Sequence, residues 1–512
     1  MMNQLICILM FMANTTHDTV VGFKSYWLSD PARTYRTAFD DGKTYGHQKS
    51  ARPVLVNLWY PAKPGGTAMT HRQYLEITPD DALLKPLAKA LVEYNRNVIC
   101  QELLGVEIKQ ASEAQKQSLD KVLQRQTGCF RHAPLATGKF PLLIYHSGAG
   151  SSFEDNAKHC EELARHGYVV MGSAFQHADG SSFNVDPENA GRDFEFLLRH
   201  AASLDMVDMK HVGLIGHSAG AHASLIYAAH AGVAVDAIVS LDTTQDYVTL
   251  ADPRWHLLVD ELTKGQKQLK TPVLFAAGPT ALFELADTLD QSERVYFTIP
   301  GLDHNDYISQ GVWAATIVSE QDTGNASKRE KAAEVRKQNR ELQRVVELYL
   351  AAKLKGDEGA WKQLQALQQN LPGKQPYVEL MPAGSKTGWA AITTLTPRKL
   401  LLVLKEQGVA KAVEHLKQAD KKEVMLNNPY MAFNLLYYLS FHQQPEATKQ
   451  LFEAFLARGV DCRSTLVAQA EMFASMKRHP SFLENCVCLG QMIGGKDKKV
   501  AEMVRKLSSK NK

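Results

Sequence analysis

Residues 212–220 read Val-Gly-Leu-Ile-Gly-His-Ser-Ala-Gly, and a helix-forming run from Ala219 to Ala231 follows. The apolar stretch VGLI has the look of a buried strand, and it runs straight into Gly216-His217-Ser218-Ala219-Gly220. A GxSxG pentapeptide alone occurs by chance, but one framed by a strand and a helix has a physical purpose. A tight strand-to-helix turn exposes the hydroxyl of its central residue, and flanking glycines let the neighbouring backbones pass closely. The amino terminus of the helix then faces any negative charge that develops beside the serine. The stretch predicts Ser218 as a nucleophile at the carboxyl end of a parallel strand.

Working outward, further continuous apolar runs occur at 141–145 (PLLIY), 168–173 (YVVMGS), 237–241 (AIVSL), 272–277 (PVLFAA) and 295–299 (VYFTI). Helical stretches at 156–166 and 187–204 separate the earlier ones. Strands apolar on both faces, alternating with helices, imply a doubly wound, mostly parallel α/β sheet, and such sheets carry function at the carboxyl ends of their strands. Two earlier strands are expected at 21–28 and 53–60. A helical stretch at about 80–128 interrupts the series and reads as an insertion placed over or beside the sheet.

A serine hydroxyl needs a base. His304 lies in the loop that leaves the late strand VYFTI, whereas His177 follows an earlier strand and breaks the order serine, acid, histidine usual for such sheets. Asp242 sits at the tip of AIVSL, 242 − 218 = 24 residues beyond Ser218. It can accept the imidazole N–H directly, so it is preferred over Glu284, which lies inside a helical stretch. Asp303 reads as a loop cap. An oxyanion needs two backbone donors. The N–H of Ala219 is one, and the loop His146-Ser147-Gly148-Ala149-Gly150 offers Ala149 as the other.

Beyond about residue 321 the character changes. A charged helical segment at 327–367 closes a first domain spanning 20–371, a Pro- and Gly-bearing linker covers 372–390, and 391–512 is wholly helical. Pairs at 430–442 with 445–458, and 464–478 with 481–492, follow at about the 34-residue spacing of tetratricopeptide-type hairpins. Such a tail suits the docking of a protein or peptide partner.

Composition bounds the rest. In 512 residues, 58 Lys and Arg stand against 55 Asp and Glu, a net charge of +3, which gives no electrostatic case for nucleic acid. Seven scattered cysteines lack metal-ligand spacing and read as free thiols; no metal or cofactor is implied. An apolar run at 5–13, within an N-terminal segment 1–19, has signal-peptide length without its usual flanks, so a secreted or periplasmic location competes with a cytoplasmic one. It is too short to span a bilayer, and no transmembrane span is expected elsewhere.

The run RPVLVNLWYPA, the loop YHSGAG, the segment GRDFEFLL, the elbow VGLIGHSAG, the SLD tip and the GLDH loop resemble the platelet-activating-factor acetylhydrolase group. That group lies near the dienelactone-hydrolase branch of the α/β-hydrolases, and the resemblance covers about the first two thirds of the chain. It implies Ser218, Asp242 and His304 as a triad, with Ala149 and Ala219 as oxyanion donors. Ser147-Gly148 stands where the group commonly has His-Gly, and the serine nucleophile departs from the cysteine of dienelactone hydrolases proper. The tail resembles tetratricopeptide regions behind some bacterial hydrolases. The expectation is a serine carboxylic-ester hydrolase acting on a small ester or lipid-like substrate. A peptidase or amidase on the same fold, and a helical scaffold with a vestigial hydrolase domain, are the alternatives.

Overall fold

Two long strands open the chain in the computed structural model, β1 (Val20–Tyr35) and β2 (Ser50–Ala62), paired antiparallel from Val20 opposite Ala62 to Tyr35 opposite Ser50. The structure describes residues 19–35, 50–76, 79, 81–151, 153–175, 187–230, 234–263, 269–321, 326–386, 388–475 and 480–509. The apolar run at 5–13, Cys7 and His177 lie outside them. The chain divides into two units, Met1–Leu241 with Gly301–Trp361, and Asp242–Pro300 with Lys362–Lys512.

The first unit adds β3 (Thr67–Thr70), β4 (Gln126–Arg131), β5 (Phe140–His146), β6 (Val169–Gly172), β7 (Val207–His217) and β8 (Ala237–Leu241). Their order is β3-β4-β1-β2-β6-β5-β7-β8. β6, β5, β7 and β8 run parallel to one another. Successive residues of a strand point to opposite faces, and nearly every residue of β5, β6 and β8 is buried. Both faces of this parallel core are therefore covered, which is why its strands read as continuous apolar runs rather than alternating ones. The helices Ala157–Arg165, Pro187–Ala201 and Ala219–His230 connect these strands in turn.

The chain leaves β5 to one side, for β6, and later builds β7 on the other side. Loops that leave neighbouring strands in opposite directions open a crevice between them. Here the loop after β5 and the turn after β7, the two pieces that the sequence singled out, flank that switch point.

The inserted stretch forms two helices, Lys85–Leu104 and Glu113–Leu123, the second started by a Ser112–Gln115 capping box. Ile99, Cys100, Leu103, Leu119, Val122 and Leu123 bury themselves with Leu75 and Ile317. The insertion is thus packed onto the helix Ser309–Gln321 that follows the His304 loop. Sequence reading missed β3 and β4, short strands whose mixed exposure gives no clean alternation.

In the second unit β9 (Val273–Ala277) and β10 (Arg294–Thr298) are parallel, and β11 (Tyr377–Met381) pairs antiparallel with β10. β11 falls inside the stretch expected to be linker. The rest of its described regular structure is helical, with Pro429–Phe441 against Pro445–Ala457 and Arg463–Ser475 against Pro480–Ile493, close to the helical pairs expected from the sequence. Leu435, Leu436, Leu439, Leu451, Ala454 and Phe455 lie in one buried cluster that extends to Leu507. Arg398, from the helix Pro397–Gln407, is buried over the Tyr296 ring at 3.7 Å and forms ion pairs with Asp287 (2.5 Å) and Glu379 (2.7 Å).

The six described cysteines are free thiols, five of them buried. Among the described residues no helix is long and apolar enough to cross a membrane, and no cluster of metal-ligating side chains occurs.

Candidate active site

The peptide after β7 turns so sharply that Ser218 sits at φ +52°, in the left-handed region where a side chain is strained. Its N–H donates to the Leu241 carbonyl of β8 (2.9 Å), and its carbonyl accepts from Ala221 N–H (3.1 Å) at the start of the helix. These bonds hold the strain in place. Ser218 and Ala219 are partly exposed while Gly216, His217 and Gly220 around them are buried. A Cβ on Gly216 would lie 2.4 Å from Ala221 N, and one on Gly220 would lie 2.3 Å from the His146 carbonyl oxygen. The flanking glycines are therefore required by close backbone approach, as the motif predicted.

The loop after β5 packs on this elbow. A Cβ on Gly148 would stand 3.2 Å from Ser218 Cβ and 3.1 Å from His217 Nδ1. Ala149 and Gly150 follow and are exposed. The loop is tied from several sides. Buried Asp155 accepts from Tyr145 Oη (2.5 Å) and Ser151 Oγ (2.6 Å), and Tyr94 Oη of the inserted helix donates to the Gly150 carbonyl (2.7 Å). Burial pushes the Asp155 carboxyl up to about 8, against the pull of the two hydroxyls.

His304 opens a short 3₁₀ turn, His304–Tyr307, started by Asp303, which caps it as expected and pairs with Lys331 at 2.7 Å. His304 is exposed. His217, the residue before the nucleophile, donates from Nε2 to the His304 carbonyl (3.2 Å), and the two rings lie 4.6 Å apart between centroids. Burial, then the nearby charge of His304, holds the His217 imidazole down to about 3, so it is neutral. The same turn meets the insertion, where Asn305 donates to Glu102 Oε2. The inserted helix Lys85–Leu104 thus touches the β5 loop through Tyr94 and the histidine turn through Glu102.

Behind the elbow stands an aromatic stack that the sequence did not announce. His146 stacks on Phe175 at 3.9 Å, Phe175 meets Phe194 at 5.1 Å, and Phe194 meets Tyr227 at 5.0 Å. Phe175, just past the end of β6, is itself at φ +44°.

Asp242 directly follows Leu241 in the chain and opens the second unit. It is buried at φ +43°, with its N–H on the Ala276 carbonyl (2.7 Å) and its carboxylate accepting from Tyr247 Oη. Tyr247 Oη in turn accepts from Gly278 N–H (2.6 Å). Asp246, beside it, is pushed up to about 8 by burial and by the Asp242 charge. Glu284, the other acid considered, pairs one oxygen with Lys405 (2.7 Å) and accepts from Leu250 N–H (2.7 Å) with the other.

A parallel core in the order β6-β5-β7-β8, flanked by the antiparallel β1 and β2 and bearing a strained serine between β7 and its helix, defines the α/β-hydrolase fold. Among solved structures the chain is similar to a ferulic acid esterase from Streptomyces cinnamoneus, with a TM-score of 0.44 and 18% identity over 72% of this chain and 98% of that one. It is also similar to Est1E from Butyrivibrio proteoclasticus with ferulic acid bound, with a TM-score of 0.27 and 17% identity over 35% of this chain and 87% of that one. No protein-family model matches the chain, and no curated protein does.

Proposed function

We propose that this protein is a serine carboxylic-ester hydrolase that works through an acyl-enzyme, with Ser218 as nucleophile, His304 as base and Asp242 as the acid that orients it. The observation that carries the reading is the strained Ser218 turn, packed under the β5 loop and bonded, through its neighbour His217, to the turn that bears His304.

In this reading the Ser218 hydroxyl adds to the ester carbonyl carbon while His304 takes its proton. The Asp242 carboxylate fixes the imidazole tautomer and stabilises the imidazolium. Negative charge on the former carbonyl oxygen is met by the N–H groups of Ala219 and Ala149. The imidazolium gives its proton to the departing alcohol. Water, deprotonated by the same imidazole, then releases the acid and restores Ser218.

The resemblance to platelet-activating-factor acetylhydrolases favours short or medium acyl chains. The inserted helix, which touches both the β5 loop and the His304 turn, is the element placed to shape the acyl side. Hydrolysis of p-nitrophenyl acetate and butyrate by the purified protein, compared with Ser218→Ala, tests the reading. Loss of turnover in the variant is expected. Full activity in Ser218→Ala would overturn it.

A further inference from the structure

We propose that His217 is a positioning residue that locks the base-bearing turn to the nucleophile elbow by donating its Nε2 proton to the His304 carbonyl. The inference rests on the hydrolase reading above and adds to it a residue outside the proposed triad.

The side chain of His217 lies where three separate pieces of chain meet. It belongs to the elbow, its Nε2 reaches the His304 carbonyl at 3.2 Å, and its Nδ1 faces Gly148, where a Cβ would approach to 3.1 Å. A carbonyl oxygen only accepts, so the bond requires the proton on Nε2. In a neutral ring that leaves Nδ1 as a lone-pair acceptor, and Nδ1 is buried with no hydrogen-bond partner among the described residues. A buried polar atom without a partner carries a cost. An apolar side chain would avoid that cost at this position, so what the histidine supplies is the donor at Nε2.

That donor has a mechanical role. His304 is the exposed head of a four-residue turn that ends in buried Tyr307. One hydrogen bond from the residue next to Ser218 ties that turn to the nucleophile's own strand, and the two rings packed at 4.6 Å limit its swing. Because His217 stays neutral, it places no positive charge beside His304 when the base takes up its proton.

The test is a pair of amide substitutions that differ by one methylene. Gln places its amide nitrogen about where Nε2 stands, whereas Asn ends at the Nδ1 position and falls short. Turnover of p-nitrophenyl butyrate and the rate of Ser218 labelling by a fluorophosphonate are measured on the full chain, with melting temperature as a control. His217→Gln is expected to keep kcat within about threefold, and His217→Asn to lose about tenfold or more in kcat and in labelling rate with KM within about twofold. His217→Leu, which fills similar space without a donor, should match the Asn variant and guards against a fold defect peculiar to Asn. An Asn or Leu variant that works at the wild-type rate overturns the proposal, as does a Gln variant that falls as far as Asn. Those outcomes leave wild-type labelling intact. Wild-type protein that the probe does not label removes the hydrolase reading and the proposal together.

Discussion

Replacing Gly220 by Ala should cost this protein both stability and turnover. The added Cβ would stand 2.3 Å from the His146 carbonyl oxygen, 2.5 Å from that of Ser147 and 2.8 Å from the His146 carbonyl carbon. All three are main-chain atoms, so no side-chain rotation relieves the contact. Ordinary contact begins at 3.4 Å, and the elbow helix and the β5 loop must part by about 1 Å. Overpacking of this kind costs about 1–3 kcal/mol. The displaced loop carries Ala149, and a shift of about 1 Å in a group that positions the reacting atoms costs about 100-fold in rate. Gly191 is the internal control. It lies within the helix Pro187–Ala201, and its added Cβ would meet only Tyr227, at 3.8 Å. Gly191→Ala should therefore stabilise the chain by up to about 1 kcal/mol, the ordinary gain of alanine over glycine within a helix. Thermal melting and p-nitrophenyl butyrate turnover on both variants make the comparison. A Gly220→Ala protein that melts and turns over like wild type would refute the close packing of elbow and loop on which the proposed oxyanion site depends.

Three further outcomes are expected. Asp155 keeps its proton up to about pH 8 in the fold, against an ordinary carboxyl value of 3.8, so its stabilising contribution is full below about pH 4 and is lost as pH rises through about 8. Wild type should accordingly lose melting temperature relative to Asp155→Asn between pH 5 and pH 8.5, and a difference that does not change with pH would contradict the buried carboxyl. Tyr94→Phe removes the donor to the Gly150 carbonyl and should lower kcat by about threefold to tenfold without lowering melting temperature by more than a few degrees; unchanged kinetics would show that the inserted helix does not steady the loop. Arg398→Met strands Asp287 and Glu379 without their shared cation and should destabilise the second unit by about 3–5 kcal/mol in chemical denaturation, whereas a loss under about 1 kcal/mol would show that the pairs are solvated in practice.

Local patterns carried the fold because each of its pieces has a local cause. The elbow needs a serine between two glycines, a buried parallel strand needs an unbroken apolar run, and a helical hairpin needs its stripes at a spacing of three and four. Those requirements are written within a few neighbouring residues, so 212–220, the strands from 141 to 299 and the hairpins after 429 could all be read from the chain. Asp303 as a cap was legible for the same reason.

What escaped is whatever depends on distant partners. β11 looked like linker because its partner, β10, lies some eighty residues earlier, and only pairing makes Tyr377–Met381 a strand. The aromatic stack of His146, Phe175, Phe194 and Tyr227 draws on four elements, and no window of sequence contains it. Glu284 and Asp242 were both plausible acids as strings. In the fold both oxygens of Glu284 go to Lys405 and the Leu250 N–H, while the Asp242 carboxylate accepts from Tyr247 Oη. His217 read as the variable position of a motif until the fold set its ring between Gly148 and the turn of His304. Sequence by itself determined which residues could do chemistry, since side-chain type and local backbone strain are properties of neighbours. Tertiary structure alone decided which of them are supported, because support comes from hydrogen bonds and contacts closed across long stretches of chain.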